Sequence, residues 1–414
     1  MAERRKVVVT GIGAITPLGL DEATFWRNML SGVCGVRTIR SFDTKDYKTT
    51  VGGEVDSEAL LALLQARGMV SSDRTVDMAL LASVQALEQA GMLRGGPPYS
   101  PAEIATIFGT GAGASHSLYN TFTSFSQKGV RGMRPTSVPR CMANSITAQI
   151  SMKFRLTGPN YVIVSACTSS TVAIGIAFRM IRDGYADKVL CGGADAAFDP
   201  FVFGGWNNLG VMSRNPDPAR ACRPFDSARD GCVLGEGAGA LLLESLDSAV
   251  ARSAHIRAEI CGYGESSDAE HMTSPSAEGQ ARCMKDALAS AGITPDQIGF
   301  INAHGTGTRA NDECESRSIR MALGKAADGI PVGANKSFFG HLLGACGVIE
   351  FIATILGLEN RKVPPNLNLD NPDPACSLQL VGKNAMELAS PVAMKNSFGF
   401  GGNNTVLIAK RWEG

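Results

Sequence analysis

Two stretches of this chain are built alike, and that constrains the fold more than any other feature. From Tyr161 to Phe178 an apolar strand runs into a small-residue turn and then into a helix with no charge on any face. From Pro331 to Leu358 the same series returns, with Gly340 and His341 opening the helix. A surface helix keeps a polar stripe for water, so a helix apolar all round must be covered on every side. Two such units predict a duplicated architecture. The seam falls near Ser253–His255, giving halves of residues 1–253 and 254–414. The similarity is architectural, without a strict sequence repeat.

Short runs rich in Val, Ile and Leu predict strands at Val7–Thr10, Ile104–Phe108, Tyr161–Ser165, Lys188–Cys191 and Ala240–Leu243. A second set follows at Ile256–Gly262, Gly299–Ala303, Pro331–Ala334, Val392–Asn396 and Thr405–Lys410. Helices are predicted between them at Val76–Gly91, Thr168–Asp183, Gly279–Ala291, Asp312–Leu323 and Leu342–Leu358. Apolar strands separated by helices define an α/β protein with sheets covered on both faces.

Composition removes several classes. Lys+Arg and Asp+Glu both total 39, so the whole chain is not tuned for nucleic acid or an anionic membrane. The 11 cysteines are scattered without a Cys-x-x-Cys, which argues against a disulfide framework or thiolate metal site and for a reducing cytoplasm. The apolar run after Arg4-Arg5-Lys6 is broken by Thr10, Gly11, Gly13, Thr16 and Pro17, and reads as a buried strand and glycine turn rather than a secretory leader. No run of eighteen apolar residues suggests a membrane span.

The chemistry gathers at a few positions. Cys167, in Val164-Ser-Ala-Cys-Thr-Ser-Ser170, sits at a strand-to-helix junction, where free backbone N–H groups favour a thiolate. Cys346 reads as a mid-helix packing residue. His304, in Asn302-Ala-His-Gly-Thr-Gly-Thr308, ends a strand, where α/β active sites collect. His341 opens an apolar helix five residues after Lys336; His116, His255 and His271 lack such settings. Glu350 is the one charge between Leu342 and Leu358, and a buried carboxylate needs a partner, for which Lys336 is the candidate. Asp312 and Glu315 suit the N-terminus of the following helix. The loop Ser397-Phe-Gly-Phe-Gly-Gly-Asn-Asn404 puts Phe398 and Phe400 in a shaped wall beside a site. The glycines near Thr10 and Gly109 lack the full dinucleotide-loop pattern and read as turns and close packing. From Ile104 to Arg182 no acidic residue occurs, while Lys128, Arg131 and Arg134 are among the cations, a pattern suited either to plain solvation or to an acidic partner.

Taken together, Val-Ser-Ala-Cys-Thr-Ser-Ser, Ala-His-Gly-Thr-Gly-Thr, Asn-Lys-Ser-Phe-Phe-Gly-His-Leu-Leu-Gly-Ala and Asn-Ser-Phe-Gly-Phe-Gly-Gly-Asn resemble the β-ketoacyl synthases, in order and over almost the whole chain. The resemblance implies the thiolase-like fold, duplicated βαβ halves in a five-layer αβαβα arrangement. It implies Cys167 as acyl-accepting nucleophile, His304 and His341 as its catalytic partners, and Lys336, Glu350 and Asp312 as supporting charges. Thr306 and Thr308 would hold a phosphopantetheine arm, the Phe400 and Cys167 N–H groups would form an oxyanion hole, and Trp206 would border the acyl pocket. The implied activity is decarboxylative condensation with a malonyl unit on an acyl carrier protein, extending a fatty acid or polyketide by two carbons without an organic cofactor or a metal. The expected assembly is a homodimer, or a heterodimer with a nucleophile-free chain-length partner. Ser-Ala-Cys-Thr-Ser-Ser is similar to fatty-acid enzymes and Thr308-Arg-Ala-Asn-Asp312 to polyketide ketosynthase subunits. A thiolase would carry a second cysteine in Ser397–Asn404, which has none, and Cys167 argues against a non-condensing binding protein.

Overall fold

The computed structural model describes residues 4–71, 73–93 and 102–414. Its main sheet has ten strands, one at each position expected from the sequence. They are β1 (Val7–Ile15), β2 (Ala105–Gly109), β3 (Asn160–Ile163), β4 (Lys188–Asp195), β5 (Gly237–Ser245), β6 (Ala258–Ser267), β7 (Phe300–Asn302), β8 (Val332–Gly333), β9 (Val392–Gly399) and β10 (Asn403–Arg411). Their spatial order is β8-β7-β9-β10-β6-β1-β5-β4-β2-β3.

That order is the duplication in physical form. Outward from the middle, the first half runs β1-β5-β4-β2-β3 and the second β6-β10-β9-β7-β8. In both, the first two pairings are antiparallel and the last two parallel. Among the described residues, the two half-sheets pair with each other where Val7, Val8 and Val9 of β1 meet Ile260, Glu259 and Ala258 of β6.

Helices complete five layers. Helices α1 (Arg74–Gln89) and α2 (Ser145–Phe154) cover the outer face of the first half-sheet. Between the half-sheets lie α3 (Ser169–Arg182) and α6 (Cys346–Asn360), within the largest apolar core. Helices α4 (Ala277–Ala291) and α5 (Arg309–Leu323) cover the far side. The central helices are mostly apolar because both sides face apolar strands rather than water, with Glu350 the one buried charge of α6. Residues Leu343–Asn360 are long and apolar enough to cross a membrane, but 89% of the stretch is buried inside the protein, as a core helix must be.

Three expectations need correction. Thr10 to Gly13 is not a turn: β1 runs on to Ile15, with a bulge between Val9 and Gly11. Glycine is needed there because a Cβ on Gly11 or Gly13 would lie 2.1 or 1.9 Å from the Ala86 or Ala82 carbonyl oxygen of α1. The last central helix also starts later than its apolar run, since Leu343–Ala345 is a 3₁₀ turn. Cys346 is therefore the first residue of α6 and not a mid-helix residue.

Candidate active site

The nucleophile candidate sits on a strained turn. Ala166–Thr168 forms a 3₁₀ turn between β3 and α3, entered through Ala166 at φ 52°. A left-handed alanine costs about 1–2 kcal/mol, so the surroundings must hold it. Ser169 Oγ does so by accepting the Ser165 N–H at 2.9 Å. Cys167 is buried, with its sulfur facing the Phe400 N–H and its own. A Cβ on Gly399 would lie 3.3 Å from the Cys167 nitrogen, so a side chain there would crowd the nucleophile. Burial pushes the Cys167 thiol up to about 11, against the opposing pull of Lys336 and the two N–H groups. Burial therefore opposes the thiolate expected from the sequence, while Lys336 and the turn's N–H groups favour it.

The two imidazoles are held from behind. Glu315 of α5 accepts the backbone N–H groups of His304 and Gly305, each at 2.8 Å, and so fixes the loop after β7. Lys336 Nζ lies 3.2 Å from His304 Nδ1 and 2.5 Å from the His304 carbonyl oxygen. An ammonium only donates, so Nδ1 is the acceptor and the ring proton is on Nε2. For His341 the Leu343 N–H donates to Nδ1 at 3.0 Å, which places that proton on Nε2 as well. The rings meet edge to face with centroids 5.6 Å apart. Burial drives both imidazoles well below the ordinary histidine range, and Lys336 adds to it. Both are neutral donors at physiological pH.

Lys336 and Glu350 are paired as expected, at 2.6 Å and wholly buried. Burial opposes the Lys336 charge, but Glu350 holds the ammonium above its usual value. Sequence reasoning missed a second partner: Lys395 of β9 lies 2.6 Å from the other Glu350 oxygen. The available signal was a lysine inside the apolar run Val392–Asn396. Glu315 was read only as a helix-terminus residue. Asp195 was not singled out at all, yet it accepts from Thr110 Oγ1 and the Gly111, Ala112 and Gly344 N–H groups, tying β4 to the turn behind His341.

One cavity collects Cys167, His304, His341, Phe398, Phe400, Thr306, Thr308 and Trp206. Thr306 and Thr308 hydroxyls are 2.8 Å apart at its side. Phe398 meets His304 edge-on, and the Phe400 ring stacks on Trp206 with centroids 5.6 Å apart. Asp312 is not on this cavity. It accepts the Phe225 N–H at 2.9 Å and faces Arg229 at 3.5 Å, supporting the Gly305–Thr308 loop from outside. Lys128, Arg131 and Arg134 are exposed on and after the helix Ser115–Lys128, away from the cavity lining. Among the described residues no group of three His, Cys, Asp or Glu could hold a metal.

Comparison with known proteins agrees with this geometry. Residues 4–249 match the beta-ketoacyl synthase N-terminal domain and residues 257–370 its C-terminal domain. The chain is 40% identical to a 3-oxoacyl-[acyl-carrier-protein] synthase 2 of Synechocystis sp., over 99% of both chains. It is 38% identical to the protein of that name from Staphylococcus aureus, over 100% of both. Among solved structures, the ishigamide ketosynthase/chain length factor superposes with TM-score 0.91 at 34% identity, over 99% of this chain and 100% of that one. A type II polyketide acyl-carrier protein complexed with its ketosynthase gives TM-score 0.91 at 30% identity, with the same coverage. The chain belongs to the β-ketoacyl synthase family, acyltransferases that condense an acyl chain with a malonyl unit.

Proposed function

We propose that this chain extends an acyl group, held as a thioester on Cys167, by two carbons taken from malonyl-acyl carrier protein. The observation that carries the reading is one cavity holding a buried thiol and two neutral imidazoles whose Nδ1 atoms are both already engaged. Cys167 attacks the incoming acyl thioester, its proton leaves on the departing pantetheine thiol, and the Cys167 and Phe400 N–H groups receive the transient oxyanion. The malonyl thioester then enters. Its carboxylate carbon–carbon bond breaks, carbon dioxide leaves, and the electron pair moves to the thioester oxygen as an enolate. His304 and His341 donate to that oxygen from Nε2; losing one such donor costs roughly 10²–10³ in rate. The enolate carbon attacks the Cys167 thioester, the carbon–sulfur bond breaks, Cys167 leaves as a thiolate that takes up a proton from water, and the β-ketoacyl product leaves on its carrier. Every electron in this sequence comes from substrate bonds, so the steps balance without a redox cofactor.

The remaining roles belong to the same reading. Thr306 and Thr308 hold the pantetheine arm, Phe398 and Phe400 wall the entrance, and Trp206 floors the acyl pocket. Lys128, Arg131 and Arg134 dock the acidic carrier. The halves, residues 1–253 and 254–414, contribute the nucleophile and the imidazoles respectively. The 11 cysteines are all free thiols, which suits the reducing cytoplasm. The protein works as a dimer, supported by an exposed edge strand and apolar helix face beside β3. The solved ketosynthase/chain length factor at 34% identity favours a second form of that dimer, with a related chain as partner.

Intact-mass spectrometry after incubation with acyl-carrier substrates tests the assignment. Wild type gains the acyl mass and Cys167→Ala does not, while both melt alike. An adduct on Cys167→Ala would place the nucleophile elsewhere. Product masses with several primers then separate fatty-acid from polyketide extension.

A further inference from the structure

Lys395 is a buried charge to which the reading above gives no part. It lies on β9 at zero exposure. Its ammonium is 2.6 Å from one Glu350 oxygen, as Lys336 is from the other. Its other contacts are Ser397 Oγ at 2.7 Å and the Asn396 carbonyl. Ser397 Oγ in turn meets Thr171 Oγ1 of α3 at 2.7 Å. One carboxylate therefore serves two buried lysines, and the trio is net positive when both are protonated.

The duplication shows what packing alone requires at this place. Strands β4 and β9 are both 8 residues long, with Val189 opposite Ala105 in one and Ala393 opposite Phe300 in the other. That register aligns Cys191 with Lys395. Ala166 and Leu343 open the two 3₁₀ turns at φ 52° and 50°, which aligns Ala173 on α3 with Glu350 on α6. Ala173 and Cys191 are both buried in the central apolar core. One copy of the fold thus fills these positions with two small apolar side chains, and the other with an acid and a base. Burying ions costs several kcal/mol each, so a pair that packing does not demand points to an electrostatic duty.

We propose that Lys395 is a positioning residue for the condensation, supplying a second positive charge that keeps His304 and His341 neutral, so that each Nδ1 accepts from its backing donor and each ring stays aimed to donate from Nε2. The proposal rests on the assignment of those imidazoles as enolate donors. The titratable groups facing Lys395 are Glu350 and Cys346 of α6 and Lys336 of the short helix Lys336–Phe339. Those facing the imidazoles are Lys336, Lys395 and each other, with Glu315 beneath the His304 backbone. Burial lowers the Lys395 pKa, and Glu350 only partly offsets it. The sign is fixed: removing a nearby positive charge makes an imidazole easier to protonate, so its pKa rises, and at higher pH a proton on Nδ1 faces the Lys336 ammonium or the Leu343 N–H and breaks the contact that aims the ring.

Ring-labelled histidine followed by NMR reads this directly, in wild type, Lys395→Met and Lys395→Arg, with signals assigned from His304→Ala and His341→Ala. In Lys395→Met the protonation midpoints of both rings should rise by about 0.5–1 pH unit. Decarboxylation of malonyl-pantetheine should then fall about 3–10-fold at the acid end of its profile. Lys395→Arg, which keeps the charge, should hold the wild-type midpoints. If Lys395→Met does not fold, Lys395→Ser takes its place as the neutral variant. Midpoints unchanged in the neutral variant, or moved equally in the arginine variant, would overturn the proposal. Wild type that releases no carbon dioxide would instead overturn the donor assignment, while the ring titrations still judge Lys395.

Discussion

Cys167 shows how far a residue's surroundings can oppose its task. The thiol is pushed up to about 11 because burial disfavours the thiolate more than Lys336 and two backbone N–H groups favour it. Below that pH the thiolate fraction grows about tenfold per unit. Inactivation by iodoacetamide should therefore keep accelerating from pH 7 through pH 9 in wild type and be absent in Cys167→Ala. A rate that levels off by pH 8 would mean that the N–H donors outweigh burial. At this scale the sequence was readable where a local pattern carries the chemistry, as at Cys167, His304 and His341. For Asp312 the sequence left the partners open: a helix-opening acid looks the same whether it faces a cavity or, as here, Phe225 and Arg229.

Helices α3 and α6 meet at their N-termini, and small residues make that approach possible. A Cβ on Gly347 would lie 2.0 Å from Thr171 Oγ1 and 2.8 Å from the Thr171 nitrogen. Gly347→Ala should push the helices apart and destabilise the protein by about 1–3 kcal/mol, read as an earlier midpoint in chemical denaturation. An unchanged midpoint would show that the contact relaxes freely. The ten main-sheet strands and helices α1, α3, α4, α5 and α6 were legible from apolar runs between glycine and small-residue breaks, whereas α2 was not expected. The ends of the elements were not legible: apolar residues at 342–345 suit a helix and a 3₁₀ turn equally, and Gly11 and Gly13 suit a turn as well as a strand pressed against α1.

Over the whole molecule, the outer edge of the first half-sheet is open. Strand β3 pairs only with β2 among the described residues, and Tyr161 on it is 51% exposed. The helices Ser115–Lys128, Ser137–Cys141 and Ser145–Phe154 pack in succession beside it, with Phe122 66% and Val138 67% exposed. An open edge next to apolar side chains is a surface that proteins cover. Sedimentation should show a dimer for wild type and a monomer for Phe122→Asp with Tyr161→Asp. A dimer that survives both changes would remove this face from the assembly. In such a dimer the cations at Lys128 and Arg131 border the partner, so reversing both to Glu should slow carrier association in a salt-dependent way. An unchanged association rate at low salt would leave them without that role.

By itself the sequence determined the α/β class, the ten strands, the duplication and the three side chains Cys167, His304 and His341 that meet in one cavity, because hydrophobic periodicity and short motifs are local properties of the chain. Only the tertiary structure decided which charges share a carboxylate, which nitrogen of each imidazole carries the proton, and that burial opposes a thiolate at Cys167. Those depend on groups brought together from distant segments, such as Lys336, Glu350 and Lys395, and on how completely water is excluded around them.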